Sequence, residues 1–350
     1  MTTLEGHGGD FVAEAIRAHG VDTLFTLSGG HIFPILDGFH TRGMRIVDVR
    51  HEQTAGFAAE AYGKLARKPG IATLTAGPGV TNAMSPIVSA HFNGSPMLVL
   101  GGRAPQIRWG QGSLQEMDHV PLFRSVTKRA ETILETEPIY QNVCDSLMLA
   151  RAPHRGPVFL DFPMDTLFSR ATITPTLSVV ADARAPITEV SGFAEAARAL
   201  AAAQRPVILL GSDVWADGAE KQARTLVERH RIPAFMNGMG RGILPADHEC
   251  ALANARGHAF GRADLVIVAG TPLDFRLGFG SFGTAKVVHL ADSEESLARH
   301  VALEAGVPGT LGDILEALAD TSERDRGEWL AECRRIEQEK SAGFADQLGA

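Results

Sequence analysis

Glu52 is a carboxylate placed where an expected strand gives way to an expected helix. It lies in VRHEQTAGFAAEAYG, just after a short apolar run and at the start of an Ala-rich stretch. A carboxylate there is favoured by the unpaired N–H groups of a helix's first turn, worth roughly 0.3–1 kcal/mol. Two readings follow, a plain helix-start acid or an acid that handles a proton. His51 is its neighbour, and adjacent helix positions do not face each other, so the two need not act together. A second feature is TAGPGVTNAMSP at 75–86, whose glycines let backbone approach a ligand closely. No Gly-Lys-Ser/Thr follows it, so it is not a nucleotide phosphate loop, and the dinucleotide glycine spacing is absent as well. LSGGHIFPILDG at 27–38 fails both tests too. A third feature, GQGSLQEMDHVPLF at 110–123, gathers Gln115, Glu116, Asp118 and His119. It reads either as a surface loop or as one that reaches across a subunit interface.

The elements around these residues alternate. Val12 and Ile16 lie one turn apart in a helical stretch at 11–19, and TLFTL at 23–27 reads as a strand ending at Ser28-Gly29-Gly30. Strands are expected at 45–49, 71–75, 97–101 and 158–162, with a further one near 125–127. Helices are expected at 52–66, from about 80 to His91 and at 138–150. The strands are nearly continuous apolar runs, which suits a mainly parallel sheet covered on both faces. The expected fold class is therefore α/β, with two domains of this kind. Loops after parallel strands share one edge, so the glycine turns at 28–30 and 77–79 should meet there.

Residues 1–165 read as the first domain and 166–189, with Pro175 and Pro186, as an extended linker. A second, Rossmann-like domain over 190–322 has expected helices at 190–203, 217–231, 294–303 and 310–319. Its expected strands are 206–211, 234–236, 264–270 and 286–291. The charged stretch 323–350 reads as a surface helix or a connection.

Composition sets outer bounds. The chain has 350 residues, 45% of them hydrophobic, with 37 Gly and 18 Pro, enough for two packed domains with many tight turns. A formal net charge of −8 without a basic cluster argues against a nucleic-acid surface. Cys144, Cys250 and Cys333 are too scattered for a disulfide framework or a metal cluster, so no metal ligands are assigned and a reducing compartment is expected. No apolar run reaches eighteen residues and no signal peptide is visible, so the reading is cytoplasmic, without a membrane partner.

Taken together, the motifs are far more specific than any one of them. LSGGHIFPILDG, VRHEQTAGFAAEAYGK, GIATLTAGPGVTNAMSP, GSLQEMD, SVTKRA and RGPVFLDFPMD occur in an order and spacing that resembles the thiamine-diphosphate enzymes. The branch resembled contains acetolactate synthase, oxalyl-CoA decarboxylase and 2-hydroxyacyl-CoA lyase. RPVILLGSDV, IPAFMNGMGRGILPADH and RADLVIVAGTPLDFRLGFG resemble the central domain of the same family. The resemblance implies a pyrimidine-binding domain followed by a central domain. The family's third domain, whose Gly-Asp-Gly to Asn segment binds diphosphate and Mg2+, has no match here. It is expected from the rest of a longer chain or from a separate subunit, without which the chain should be inactive.

By the same resemblance, Glu52 is the glutamate that meets N1' of the cofactor's aminopyrimidine and favours its imino tautomer. Such a carboxyl should sit in a dry place. Gly29, Gly30 and His31 correspond to a loop near the reacting centre, and Pro78, Gly79 and Asn82 to the turn that holds the pyrimidine. Gln115 corresponds to an active-site glutamine that donates to a substrate oxygen. Ser113-Leu114 stands where acetolactate synthases usually have Ala-Phe, which places Leu114 on a wall near substrate. Family members pair as homodimers, often as homotetramers.

The central domain bears on the substrate. In acetolactate synthases it holds FAD, and in the CoA-acting relatives an adenine nucleotide or the CoA tail, and the resemblance leaves both open. Arg241 and Arg276 follow expected strands and could clamp phosphates, or they could be surface arginines. Asp292 could accept a ribose hydroxyl. A polar His31 together with Leu114 favours cleavage of a 2-hydroxyacyl-CoA to a ketone or aldehyde plus formyl-CoA. Acetolactate synthase or a 2-oxo acid or oxalyl-CoA decarboxylase is the competing reading within the family. Outside enzyme chemistry stands a nonenzymatic binding or regulatory protein on the same fold. A dinucleotide-dependent oxidoreductase is disfavoured by the missing fingerprint.

Overall fold

The computed structural model describes residues 3–176, 189–321 and 324–348, with side chains to 343. The chain divides into two compact units, Met1–Ala181 and Asp182–Ala350. Both carry the expected α/β architecture of parallel sheets flanked by helices.

The first unit runs β1 (Leu4–His7), α1 (Gly8–Ala18), β2 (Thr23–Leu27), α2 (Phe33–Thr41), β3 (Arg45–Asp48), α3 (Glu52–Ala66), β4 (Gly70–Leu74), α4 (Pro78–Asn82) and α5 (Met84–Phe92). It continues with β5 (Met97–Arg103), α6 (Val120–Phe123), β6 (Ala130–Thr132), α7 (Ile139–Arg151), β7 (Pro157–Pro163), α8 (Met164–Phe168) and β8 (Arg170–Ile173). Six strands pair in parallel in the order β3-β2-β4-β5-β7-β6, and β1 pairs antiparallel with β8. Every residue of β4 and β7 is buried, as strands covered on both faces require. After β2 the chain steps to β3 on one side and to β4 on the other. The carboxyl ends of β2 and β4 therefore flank the switch point of the sheet, where open α/β sheets bind ligands.

Two expectations for this unit change. The strand placed near 125–127 is a turn, because the Thr127 hydroxyl and the Val126 N–H both donate to the Phe123 carbonyl and close the chain back on α6. The strand lies at Ala130–Thr132 instead. Part of the linker placed at 166–189 belongs to α8 and to β8, which is held by pairing to β1. Residues 177–188 of that linker lie outside the described residues.

The second unit comprises α9 (Phe193–Ala202), β9 (Pro206–Leu210), α10 (Ser212–Ala216), α11 (Glu220–His230), β10 (Ala234–Met236), α12 (Arg256–Arg262) and β11 (Leu265–Ala269). It ends with β12 (Lys286–Ala291), β13 (Ala305–Pro308), α13 (Leu311–Ala319) and α14 (Gly327–Leu348). Its five strands are all parallel, in the order β10-β9-β11-β12-β13. The helix expected at 294–303 is absent. Ser293 and Ser296 bond each other, Ser296 also bonds Asp292, and the Ala298 N–H is taken by Nδ1 of His289. Such local side-chain bonds compete with a helical ladder. Strand β13 follows instead.

A buried arginine fastens α14 to this unit. Arg326 donates to the carbonyls of Leu200 (2.6 Å), Ala203 (3.2 Å) and His230 (3.3 Å), the ends of α9 and α11. Helix C-termini carry partial negative charge, so these carbonyl dipoles meet the cation. Burial nonetheless pulls its pKa below the usual arginine value.

Candidate functional site

The Glu52 side chain is held at the first turn of α3. His51 caps that helix in extended conformation, its ring accepting from the Gln53 N–H at 3.1 Å. His51 is thus a capping residue on the exposed side, whereas Glu52 is only 8% exposed. Oε2 of Glu52 accepts from the side-chain amide of Asn82 at 3.0 Å. Among the described residues Oε1 has no hydrogen-bond partner. A buried carboxylate with one oxygen satisfied and one open can bond a polar atom of a ligand.

The glycines of the two turns are required by contact. A Cβ on Gly29 would fall 2.4 Å from Oγ1 of Thr75, and one on Gly79 would fall 2.6 Å from Cγ2 of the same Thr75 and 3.7 Å from Oε1 of Glu52. Gly79 thereby lets the turn close on Thr75 beside the carboxyl. Gly30 faces open space. His31, in the short turn after β2, is buried, and its Nδ1 lies 3.2 Å from Oγ1 of Thr75. Burial lowers the pKa of this ring, partly offset by a hydrogen bond to the backbone of Leu114. Sequence reasoning gives Thr75 no role of its own, although it opens the TAGPG turn directly after β4.

These residues line a cleft of about 620 Å³ formed by Ser28, Gly29, Gly30, His31, Thr75, Pro105, Ser113, Leu114, Gln115 and Met164. Leu114 stands exposed on its wall. Gln115 has φ of 56°, a left-handed conformation uncommon for a residue with a side chain. Such strain recurs at ligand clamps and active sites. The structure thus brings Gly29, Gly30, His31, Leu114 and Gln115 onto one cleft. Pro78, Gly79, Asn82 and Glu52 stand on the turn and helix beside Thr75.

The arginines of the second unit fare differently. Arg276 is half exposed and engaged with its neighbour Asp274, its Nε and Nη2 bonding both carboxylate oxygens at 2.6–3.1 Å. Arg241 is exposed beside the turn Gly238–Gly240. Asp292 is buried and accepts from Ser296 at 3.0 Å. Arg256 is not singled out by the sequence. It donates to Asn237 Oδ1 at 3.0 Å just past β10 and lies over the Phe260 ring, and burial lowers its pKa. No helix among the described residues is long and apolar enough to cross a membrane.

Residues 6–122 match the family model for the N-terminal TPP-binding domain of thiamine pyrophosphate enzymes, and residues 193–318 match the model for their central domain. Among the relatives is a Mycobacterium tuberculosis protein described as acetolactate synthase large subunit IlvG, 45% identical over 334 residues, which cover 95% of this chain and 61% of that protein. A Caenorhabditis elegans protein described as 2-hydroxyacyl-CoA lyase 2 is 31% identical over 387 residues, covering 98% of this chain and 60% of its own length. A human protein of the same description is 29% identical over 384 residues, covering 97% of this chain and 61% of its own. The chain spans about three fifths of the length of these relatives.

Proposed function

Because the chain belongs to the thiamine pyrophosphate enzymes, with their N-terminal TPP-binding and central domains, we propose that it forms the pyrimidine side of an active site for carbon–carbon bond chemistry on an acyl substrate. The observation that carries this reading is Glu52, buried and bonded to Asn82 through Oε2, with no hydrogen bond to Oε1 among the described residues, beside the Gly79 turn. That arrangement fits a flat ring bearing a basic nitrogen.

Bound thiamine diphosphate would supply an acidic carbon whose carbanion attacks carbonyls and stores an electron pair. Glu52 holds or releases a proton at the pyrimidine nitrogen through Oε1, while Asn82 keeps Oε2 occupied and fixes the carboxyl plane. Gln115 donates to a substrate oxygen, and His31 with Leu114 shapes the wall against the acyl group. Diphosphate and Mg2+ are assigned to a diphosphate-binding domain outside these 350 residues, on the same or a partner chain, in a homodimer or homotetramer.

For the substrate, the polar His31 and the Ser113-Leu114 wall favour a 2-hydroxyacyl-CoA, cleaved to a carbonyl compound and formyl-CoA. The central domain would then take the adenine nucleotide part of CoA near Arg241 and Arg256, since Arg276 is occupied by Asp274. Condensation or decarboxylation of 2-oxo acids is the second reading. It is favoured by the 45% identity to a relative described as an acetolactate synthase and by the bond that turns His31 toward Thr75. The test offers the holoprotein, with thiamine diphosphate and Mg2+, pyruvate and separately a 2-hydroxyacyl-CoA. Formyl-CoA and an aldehyde or ketone support the first reading. Acetolactate from pyruvate with the CoA ester untouched replaces it with the second, and turnover of neither substrate class removes both.

A further inference from the structure

Strand β7, PVFLDFP, carries one charged residue, Asp161, and it is fully buried. Its Oδ2 lies 2.9 Å from Nδ1 of His119, which is fully buried as well. On the far side of the ring, Nε2 accepts the backbone N–H of Gly77 at 3.0 Å. An amide N–H cannot accept, so Nε2 must offer its lone pair, and the hydrogen facing Asp161 sits on Nδ1. The carboxylate thus selects the tautomer that the amide requires.

Gly77 is the residue where this matters. It has φ 60° and ψ −116°, a conformation for glycine, and it starts α4, which carries Pro78, Gly79 and Asn82. A Cβ at Gly77 would sit 3.0 Å from Cβ of Gln115, so the turn and the Gln115 loop are packed together at this point. A line therefore runs from Asp161 through His119 to Gly77, then along the backbone of α4 to Asn82, which bonds Glu52. The other oxygen of Asp161 has no hydrogen bond, and Arg103 Nη1 is 3.8 Å away. Burying a carboxylate in an apolar strand is costly. Orienting the ring gives this one a use.

We infer that His119 and Asp161 are positioning residues that set the Gly77–Asn82 turn, and with it the pyrimidine-facing side of the site, through the Nδ1–H tautomer of His119. The inference rests on the function proposed above for what the turn holds, but the tautomer itself can be measured without any cofactor. In the wild-type protein labelled with 15N-histidine, the His119 ring is expected to show a protonated Nδ1 and an unprotonated Nε2. A protonated Nε2 there would overturn the inference, whether or not any variant folds.

The second measurement is titration of thiamine diphosphate, with Mg2+, into the holoprotein depleted of cofactor. Asp161→Asn keeps the shape but removes the negative charge that holds the ring hydrogen on Nδ1, leaving an amide that can turn either its oxygen or its N–H to the ring. We expect at least a tenfold rise in Kd for thiamine diphosphate in Asp161→Asn and in His119→Leu, and partial recovery in His119→Gln, whose carbonyl oxygen can accept from Gly77. Folded Asp161→Asn and His119→Leu proteins with Kd within twofold of wild type would refute it. If these shifts appear while Glu52→Gln remains fully active, the positioning role stands and the proposed function falls.

Discussion

Asn82 donates its side-chain amide to Glu52 at 3.0 Å across thirty residues of sequence, from a turn after β4 to the first turn of α3. The two elements meet because β2, β4 and the intervening α3 bring their ends to one edge of the sheet. Glu52→Gln keeps the shape and a bond to Asn82 but cannot take up a proton. We expect normal folding and a drop in kcat of about 10²–10⁴-fold, the usual contribution of a proton-transfer group. Steady-state kinetics beside a thermal melt checks it, and an unchanged kcat would remove Glu52 from the chemistry.

Asn82→Ala leaves Oε2 of Glu52 without its bond, and leaving a buried acceptor unsatisfied costs about 1–3 kcal/mol. The melt should fall accordingly, and kcat should drop by less than in Glu52→Gln because the acid is still present. A larger rate loss than that of Glu52→Gln would contradict this ordering.

Gly79→Ala places its Cβ against Cγ2 of Thr75. Overpacking of this kind costs about 1–3 kcal/mol. Thr75→Ser deletes the clashing methyl and keeps the hydroxyl near His31, so the double variant should regain most of the stability that Gly79→Ala loses. Additive losses in chemical denaturation would show that the clash is relieved elsewhere.

The second unit gives a prediction of its own. Arg326→Met removes three charge-assisted bonds to the ends of α9 and α11. Bonds to charged groups contribute about 1.5–3 kcal/mol each at most, and the lost acceptors are only partly regained from water. We expect a loss of roughly 3 kcal/mol by denaturant titration. Retained stability would mean that the apolar replacement compensates for the buried cation.

Acid should weaken this unit through His289. Its ring is buried, with Nδ1 accepting from Ala298 and Nε2 at 3.1 Å from the Thr271 carbonyl, and burial lowers its pKa, reinforced by His300. The unfolded chain then binds its proton first. Stability is complete above the ordinary imidazole value of about 6.5 and declines as pH falls from there toward the lower folded value. Melting temperature recorded from pH 8 to 5 should fall, and His289→Asn should flatten the slope. Equal slopes would assign the acid sensitivity to other groups.

Much of the fold was legible. The strands at 23–27, 234–236 and 286–291 and the helix at 52–66 fall on the residues expected, because their apolar patterns are bounded by Gly, Pro or polar breaks. Helix α2 was not foreseen, since Pro34 and Gly38 disguise a helix whose Ile35 and Phe39 are buried one turn apart. The stretch at 294–303 misled because Ser296, bonded to the preceding Ser293, and the buried His289 capture backbone and hydroxyl groups that a helix would use. At the site, the two glycine turns could be placed on one edge from topology alone, and Glu52 only at the start of a helix that follows a strand. The pairing of His119 with Asp161 could not, because one residue sits in a loop and the other in an apolar strand forty-two positions away.

Thr75 is wedged between two glycines that belong to different strand ends and also touches the imidazole of His31. The loops after β2 and β4 are therefore a matched pair, as a key and its ward are cut together. Grafting 28–31 alone from a relative with a bulkier residue at 29 would jam against this threonine, and grafting 75–79 alone would remove the side chain that Gly29 and His31 pack on, so only a joint exchange would leave the cleft its shape.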